Sequence, residues 1–314
     1  PSSGKAPSLM RWLWELDRKG LCSVLSRESL KHWNTWGVGG VAPLVLRPRT
    51  FPVLRDICVA AKQEGVPLHL LGEGSNVLVP DEGLPGWVLL LRDDPTPPAL
   101  LGTRGPLREF RVPGGVSLRR LVSWSLRRGL SGLEFALGIP GTLGGALAGN
   151  AGAQGDSIGD HVSFLEIREE AGVVRRRARS DLSFAYRTSP FQKEKTLILS
   201  AGLLLAPTEE AELRRRARAF GDLRRNQPRM CKTAGCVFRN PPGFSAGRLL
   251  DLAGCKGLVR GGARVSPRHA NFIENVQDAS ASDILELALQ CRERVANAHG
   301  VNLEFEVRLL GPSP

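Results

Sequence analysis

The chain has 314 residues and a mass of 34.0 kDa, a length that predicts two domains or three small ones. Its hydrophobic content of 42% and charged content of 24% exclude wholesale disorder. We expect no secretory signal and no membrane span, because no apolar run approaches about 18 residues. The six cysteines show no CxxC spacing and only five histidines are present, which predicts no metal site and a reduced, cytoplasmic chain.

The formal net charge is +12, from 43 basic and 31 acidic side chains. Binding to nucleic acid is one explanation, and an arginine-rich background with a small anionic ligand is the other. The basic runs at Arg175–Arg177 and Arg214–Arg218 have no interleaved aromatic residues and belong to no recognisable reading module. The sequence therefore favours solvated faces and no nucleic-acid partner.

Hydrophobic periodicity and turn residues predict alternating strands and helices in the first part of the chain. The predicted elements are a helix over 8–19, a helix capped by Thr50 and ending at Glu64, and strands at Leu68–Leu71 and Trp87–Leu91. Residues 92–106 contain four prolines and two glycines, which predicts a domain boundary or a long loop.

The remainder is predicted to be of the α+β class. It comprises strands at Arg108–Val112, Leu197–Leu205, Ala270–Glu274 and Glu304–Leu309, a hairpin from Phe164–Glu169 and Val173–Ala178, and helices at Ser117–Arg128, after Thr208, near Ser245 and over Ser282–His299. Glu209 and Glu210 in the first turn of the helix after Thr208 complement its dipole.

Two glycine-rich stretches indicate a ligand held against backbone. Leu71–Leu78 reads LGEGSNVL directly after a strand, and its spacing is neither the Rossmann fingerprint nor a P-loop. Gly138–Gly155 contains seven glycines and no charged residue. The alternatives are a plain glycine turn for the first and close helix packing for the second. Together they favour a dinucleotide whose phosphates and ring both lie on backbone.

Three further stretches carry chemically active side chains. Ala185–Ser189 contains an arginine beside a tyrosine, which can clamp a carboxylate. Thr233–Pro241 places a thiol after a glycine, and Leu303–Arg308 alternates charged with apolar residues. In isolation each stretch favours the simpler alternative, which is a surface arginine, a buried small cysteine and a solvated strand face respectively.

Taken in order, these stretches resemble the UDP-N-acetylenolpyruvoylglucosamine reductase family, often called MurB. The matching motifs lie at Asn34–Gly40, Leu71–Leu78, Gly138–Gly152, Tyr186–Ser189, Ala234–Pro241, Ala253–Phe272 and Leu303–Arg308. The short interval between Arg187 and the strand near Leu197 is similar to the family's second type, which lacks a longer substrate-capping loop. The resemblance spans about residues 30–311.

The resemblance implies an α+β fold with a two-part FAD-binding region of vanillyl-alcohol-oxidase type and a C-terminal α+β substrate-binding domain. We place the FAD-binding subdomains at 1–92 and 93–206 and the substrate-binding domain at 207–314. It implies that NADPH reduces FAD and that reduced FAD converts UDP-N-acetylglucosamine enolpyruvate to UDP-N-acetylmuramate, a cytoplasmic step of peptidoglycan precursor synthesis. A monomer without membrane or nucleic-acid partners is expected.

The resemblance also implies the site residues. The catalytic residues are Arg187, Cys236 and Glu306. The FAD-binding residues are Leu71, Gly72, Glu73, Gly74, Ser75, Asn76, Val77, Leu78, Gly114, Gly138, Ile139, Pro140, Gly141, Thr142, Gly144, Gly145, Ala146, Asn150 and Gly152, with the pyrophosphate near the first glycine stretch and the ring near the second. The substrate-binding residues are Tyr186, Arg187, Arg225, Asn240 and His269.

The chain departs from the family pattern at several positions. Cys236 stands where a serine usually protonates C2 of the substrate; a thiol with a pKa near 8.5 can serve there as an acid. Gly37 stands where a basic residue is common, Gln154 where an aromatic residue is frequent, and Pro113–Gly115 replaces a typical GAG. Another FAD oxidoreductase, such as a hydroxy-acid or sugar oxidase, is the nearest alternative function.

Overall fold

The computed structural model describes residues 6–169, 172–192, 196–225, 227–228 and 230–311. The chain forms two compact units. The first unit comprises Pro1–His69, Gly74–Leu90 and Asn226–Pro314, and the second comprises Leu70–Glu73 and Leu91–Arg225. The two ends of the chain therefore share one unit, whereas the boundaries expected at 92/93 and 206/207 remain predictions.

The first unit contains helices at both ends of the chain and mostly short strands. Its elements are α1 (Ala6–Arg18), β1 (Cys22–Ser29), β2 (Val41–Pro48), α2 (Phe51–Gln63), β3 (Leu68–Leu71, the last two residues of which belong to the second unit), β4 (Val77–Leu78), β5 (Trp87–Leu90), α6 (Ala246–Leu252), β14 (Val259–Arg260), β15 (Ala263–Val265), β16 (Ile273–Asn275), α7 (Ala281–His299) and β17 (Arg308–Leu309).

The second unit is built on longer strands. Its elements are β6 (Ala99–Arg104), β7 (Leu107–Pro113), α3 (Leu118–Arg127), β8 (Leu130–Ser131), α4 (Leu143–Gly149), β9 (Gly152–Ala153), β10 (Asp156–Ser157), β11 (Val162–Arg168), β12 (Val174–Ala178), β13 (Leu197–Pro207) and α5 (Glu210–Leu223).

A buried tryptophan joins the two ends of the chain within the first unit. Trp36 is 1% exposed, and its indole Nε1 donates to the Ile273 carbonyl at 2.8 Å. The Asn275 side-chain Nδ2 donates back to the Trp36 carbonyl at 2.9 Å. The same core contains Val38, Phe238 and the buried face of α7. Burial of this indole with its N–H satisfied explains why the N-terminal and C-terminal stretches pack as one body.

An antiparallel sheet organises the second unit, with strand order β12-β11-β13-β7-β6. β13 lies in its middle and is buried along most of its length, as the long apolar run predicted. The core packed against this sheet includes Phe135, Leu143 and Leu147. The glycine-rich stretch is therefore anchored in this core by the apolar face of α4.

The predicted helices are confirmed, with ends shifted by one or two residues. Ser245 accepts the Arg248 N–H as an N-cap, whereas Thr50 and Ser117 occupy N-cap positions without making a side-chain cap bond. The hairpin is confirmed as β11 and β12, although residues 170–171 of its turn lie outside the described residues.

The predicted strands need correction at several places. Residues 99–104 form β6, paired with β7, where a domain boundary or a long loop was expected. Three of the four prolines precede the strand and the fourth follows it, and Gly102 absorbs a register shift. Only Arg308–Leu309 of the predicted 304–309 strand is regular, because the N–H groups of Glu306 and Val307 both converge on the Val237 carbonyl, at 2.8 and 3.4 Å. The strand predicted at 270–274 lies at Ile273–Asn275, and β1 and β2 were missed.

Most arginines of the basic runs contact partners within the second unit. Arg175 and Arg177 both pair with Glu169, and Arg176 stacks over the Phe164 ring at 3.5 Å. On α5, Arg215 and Arg216 pair with Glu212, one helical turn earlier. These contacts agree with the prediction of solvated faces.

Candidate active site

The first glycine stretch is tied to the second inside the second unit. The Glu73 carboxylate Oε2 accepts the Gly141 N–H at 3.0 Å. A Cβ built on Gly72 would lie 2.7 Å from Thr142 Oγ1, so only glycine allows this approach. The structure therefore brings together two stretches that the sequence predicted to share one ligand.

A short capped helix forms the centre of the second stretch. Thr142 is the N-cap of α4 and accepts the Gly145 N–H at 3.2 Å. Gly144 donates to the Gly114 carbonyl at 2.8 Å, and a Cβ on Gly144 would meet that oxygen at 3.2 Å. The glycines thus bring three backbone segments into contact, forming a surface with few side chains.

The remainder of the first stretch, Gly74–Leu78, lies in the first unit. Gly74 has φ +64°, and a Cβ there would lie 2.2 Å from the Trp33 carbonyl oxygen. Any side chain at Gly74 would disrupt this local packing. A Gly74 variant would therefore affect folding and could not test ligand binding alone. Asn76 Nδ2 donates to the Glu306 carbonyl at 3.2 Å, and β4 pairs in parallel with β17.

These stretches fit FAD by the chemistry that they present. Gly138–Gly152 contains no charged side chain. Its glycines pack too tightly to carry side chains at several positions, so the stretch offers an uncharged backbone and mostly small side chains, which suits a flat ring and close approach of a diphosphate. The division between the two units falls within the predicted pyrophosphate loop, between Glu73 and Gly74.

Arg187 sits at the tip of a tight turn in the second unit. Ala185 and Thr188 exchange two backbone hydrogen bonds of 3.0 Å, and Arg187 has φ +51°. Its guanidinium Nη1 donates to the Gly152 carbonyl at 2.8 Å. The guanidinium also lies 5.6 Å from the centre of the neighbouring Tyr186 ring, which is 57% exposed. This geometry holds the arginine at the end of the glycine stretch beside an accessible aromatic ring.

Asn150 connects the glycine stretch to that turn. It ends α4 in the left-handed conformation, at φ 44°, and is 4% exposed. Its Nδ2 donates to the Ala185 carbonyl at 2.7 Å, and its Oδ1 accepts the Gly159 N–H at 3.1 Å. The sequence predicted a flavin contact for Asn150, which stays a prediction; the described bonds make it a support for the Arg187 turn.

Cys236 and Glu306 lie on adjacent segments of the first unit. The Glu306 N–H donates to the carbonyl of Val237, which follows Cys236, at 2.8 Å. Gly235 precedes the thiol at φ +81°, a left-handed conformation that favours glycine. Cys236 also forms a β-bridge with Phe272. The two predicted catalytic residues, Cys236 and Glu306, therefore lie on backbone segments that are hydrogen-bonded to each other.

A buried asparagine that sequence reasoning missed supports this arrangement. Asn271, 2% exposed, accepts the Phe238 N–H at 2.9 Å and donates to the Phe238 carbonyl at 2.8 Å. Its own carbonyl accepts the Val237 N–H at 2.9 Å. The sequence signal was present in the HANF motif, but which backbone group its asparagine would meet depends on tertiary pairing.

The predicted substrate-binding residues divide between the units. In the first unit, Asn240 Oδ1 accepts the Ala246 N–H at 2.9 Å, which leads the chain into α6. The His269 ring packs 4.8 Å from the Phe272 ring, and burial lowers the pKa of His269. In the second unit, Arg225 is mostly exposed and pairs with Asp222 at 2.8 Å. The substrate-binding roles of these residues stay predictions.

The fold and site define an FAD-binding protein. A model described as an FAD binding domain matches residues 42–177. The UDP-N-acetylenolpyruvoylglucosamine reductase C-terminal domain matches residues 227–310. The α+β class and the FAD-binding region predicted from the sequence are confirmed.

Whole-chain comparisons identify the family. The chain is 39% identical to UDP-N-acetylenolpyruvoylglucosamine reductase of Heliobacterium modesticaldum, over 92% of this chain and 91% of the relative. It is 40% identical to the enzyme of Moorella thermoacetica, over 92% of this chain and 93% of the relative. The crystal structure of the reductase (MurB) from Thermus caldophilus matches with a TM-score of 0.77 and 34% identity, covering 92% of this chain and 99% of that one. The chain belongs to the UDP-N-acetylenolpyruvoylglucosamine reductase family.

Proposed function

We propose that this chain is an FAD-dependent oxidoreductase that reduces UDP-N-acetylglucosamine enolpyruvate to UDP-N-acetylmuramate, with NADPH as hydride donor, in peptidoglycan precursor synthesis. The observation that carries the proposal is family membership over both regions. An FAD-binding region alone would suit many oxidoreductases, whereas the match at 227–310 distinguishes this reductase from a hydroxy-acid or sugar oxidase. We expect the reaction to take place in the cytoplasm on a monomer.

Bound FAD supplies the hydride chemistry, and Leu71–Leu78, Gly114 and the predicted residues of Gly138–Gly152 hold it. Their role is to bring backbone N–H groups close to the diphosphate and the ring. The tight contacts at Gly72, Gly114 and Gly144 support this role, because each brings a backbone segment closer to its neighbour than a side chain would allow.

Arg187 orients the substrate carboxylate. A guanidinium binds a carboxylate in a bidentate manner, and the bond to Gly152 restricts the direction in which this one points. Negative charge increases at that end of the substrate during reduction, so a fixed cation favours the transition state over the ground state. Tyr186, Arg225, Asn240 and His269 are proposed to bind the remainder of the substrate.

Cys236 donates the proton that C2 of the substrate must receive, and Glu306 is proposed to assist at the reacting end. The pairing of Glu306 N–H with the Val237 carbonyl supports a common task for the two segments. A thiol is a stronger acid than the usual serine hydroxyl, so the substitution preserves the role.

An anaerobic titration tests the function. NADPH should bleach the flavin absorbance of the purified protein, and addition of UDP-N-acetylglucosamine enolpyruvate should restore it. Bleaching by NADPH without recovery on adding this substrate would contradict the assigned reaction. Bleaching of the oxidised flavin by a hydroxy acid or a sugar in the absence of NADPH would favour the alternative oxidoreductase.

A further inference from the structure

A lysine from the C-terminal part of the first unit covers the glycine at position 37. A Cβ built on Gly37 would lie 3.3 Å from Lys232 Cδ and 3.6 Å from both Cε and Nζ. Gly37 has φ +68°, a conformation that favours glycine. The absence of a side chain at Gly37 therefore leaves the space that the lysine stem and ammonium group occupy.

One buried residue binds Lys232 and the residue that precedes Gly37. The Lys232 carbonyl accepts the Asn275 N–H at 2.9 Å, and Asn275 Nδ2 donates to the carbonyl of Trp36 at 2.9 Å. Asn275 is 7% exposed and Trp36 is 1% exposed. The backbones of Lys232 and Trp36 are thus positioned by the same core, which places the lysine side chain beside Gly37.

That place adjoins the predicted pyrophosphate loop. The Gly37 N–H donates to Asn34 Oδ1 at 3.0 Å, which closes the Asn34–Gly37 turn. Within this turn, the Thr35 N–H donates to the Gly74 carbonyl at 3.1 Å. All of these residues belong to the first unit. Among the residues described by the structure, no carboxylate pairs with Lys232, which is exposed.

We infer that Lys232 is a cofactor-binding residue whose ammonium group neutralises the diphosphate of FAD. The inference rests on the proposed function, and it adds a residue outside all seven family-like motifs of the sequence. It also gives a physical reason for Gly37: the positive charge common at that position is here supplied by Lys232 from a different segment. A lysine acts on a diphosphate as a point charge, so its contribution depends on ionic strength.

The test measures FAD affinity of the full chain after removal and reconstitution of the flavin. Lys232→Gln should raise the FAD dissociation constant about five-fold at low salt, the scale of a partly exposed ion pair. The parent should lose affinity more steeply than Lys232→Gln as salt increases, and Lys232→Arg should behave like the parent. Riboflavin has no phosphate, so its affinity should be the same in all variants. Lys19→Gln, which removes an exposed lysine at the end of α1, is the charge-matched control.

Equal FAD affinity in the parent and Lys232→Gln would overturn the inference and leave the proposed function intact. An equal loss of riboflavin and FAD affinity would also overturn it, because it would indicate a structural role. A parent that binds no FAD would refute the proposed function together with this inference.

Discussion

Two buried asparagines, one in each unit, support the two segments that carry the proposed chemistry. Asn271 in the first unit binds both backbone groups of Phe238, two residues after Cys236. Asn150 in the second unit binds the carbonyl of Ala185, two residues before Arg187, and the N–H of Gly159. Each uses an amide side chain, which can donate and accept at once, to replace backbone pairing that irregular segments lack.

The two supported segments differ in how many backbone hydrogen bonds they make besides the bonds to the asparagine. The segment after Cys236 is also paired with the Asn271 backbone and with the 304–307 segment. The turn at Arg187 makes its own two backbone bonds and otherwise depends on side chains, among them Gln192, which donates to the Arg187 carbonyl at 2.8 Å. The segment of the proposed proton donor is therefore held by a backbone ladder, whereas the arginine proposed to bind the substrate carboxylate is held mainly by polar side chains.

The largest effect should come from Cys236, whose segment is supported by Asn271. Cys236→Ala should slow reoxidation of reduced flavin by the substrate by about 10² or more, the scale of a positioned acid. Cys236→Ser should remain active. Flavin reduction by NADPH should be nearly unchanged, because that half-reaction requires no proton at C2. Stopped-flow absorbance separates the two half-reactions.

Cys231→Ser is the matched control for this experiment, because it changes a neighbouring, partly buried thiol. It should leave both half-reactions unchanged. If Cys236→Ala reoxidises as fast as the parent, Cys236 is a packing residue and another group protonates C2.

Asn271→Ala should lower the free energy of unfolding by about 2–4 kcal/mol, because it leaves the buried N–H and carbonyl of Phe238 without partners. Urea unfolding measures the loss. Asn297→Ala, at an exposed position of α7, should change stability by less than about 0.5 kcal/mol. A loss for Asn271→Ala no larger than that of the control would show that the backbone ladder alone holds the Cys236 segment.

Asn150→Gly should cost less, about 1–3 kcal/mol, since glycine adopts the positive φ and only the two side-chain bonds are lost. Asn150→Ala should cost about 1 kcal/mol more, because alanine is strained in that conformation. The KM for the enolpyruvyl substrate should rise in both variants as the Arg187 turn loosens. Unchanged KM in a folded Asn150→Gly protein would separate Asn150 from substrate binding.

The smallest effect concerns His269 and pH. Burial lowers the pKa of His269 in the folded state, with the Lys256 charge acting in the same direction and Asp251 opposing it. As pH falls below about 6.5, the unfolded chain binds the proton first, so stability is lost toward acid. His269→Gln should unfold in urea with a shallower decline between pH 7.5 and 5.5 than the parent. The exposed His299→Gln variant should follow the parent; equal slopes for all three would contradict this assignment.

Motif order along the chain was sufficient for the family, the α+β class and the FAD-binding region, because those depend on local residue patterns. Most helices could be predicted for the same reason, since their apolar period and end residues are local. The sequence did not predict β6, whose strand conformation is imposed by pairing with β7 despite unfavourable residues nearby. It also did not predict the role of Asn271, because the partners of a buried amide are distant in sequence.

By itself, the sequence determined which side chains could perform the chemistry: a thiol at Cys236, a guanidinium at Arg187 and glycines where backbone must approach a ligand. Only the tertiary structure decided what holds them. Trp36 and Asn275 join N-terminal and C-terminal stretches of the chain in one core. The same core positions the backbone of Lys232, whose side chain lies beside Gly37. The physical reason is that hydrogen-bond satisfaction of buried polar groups depends on the whole packed unit.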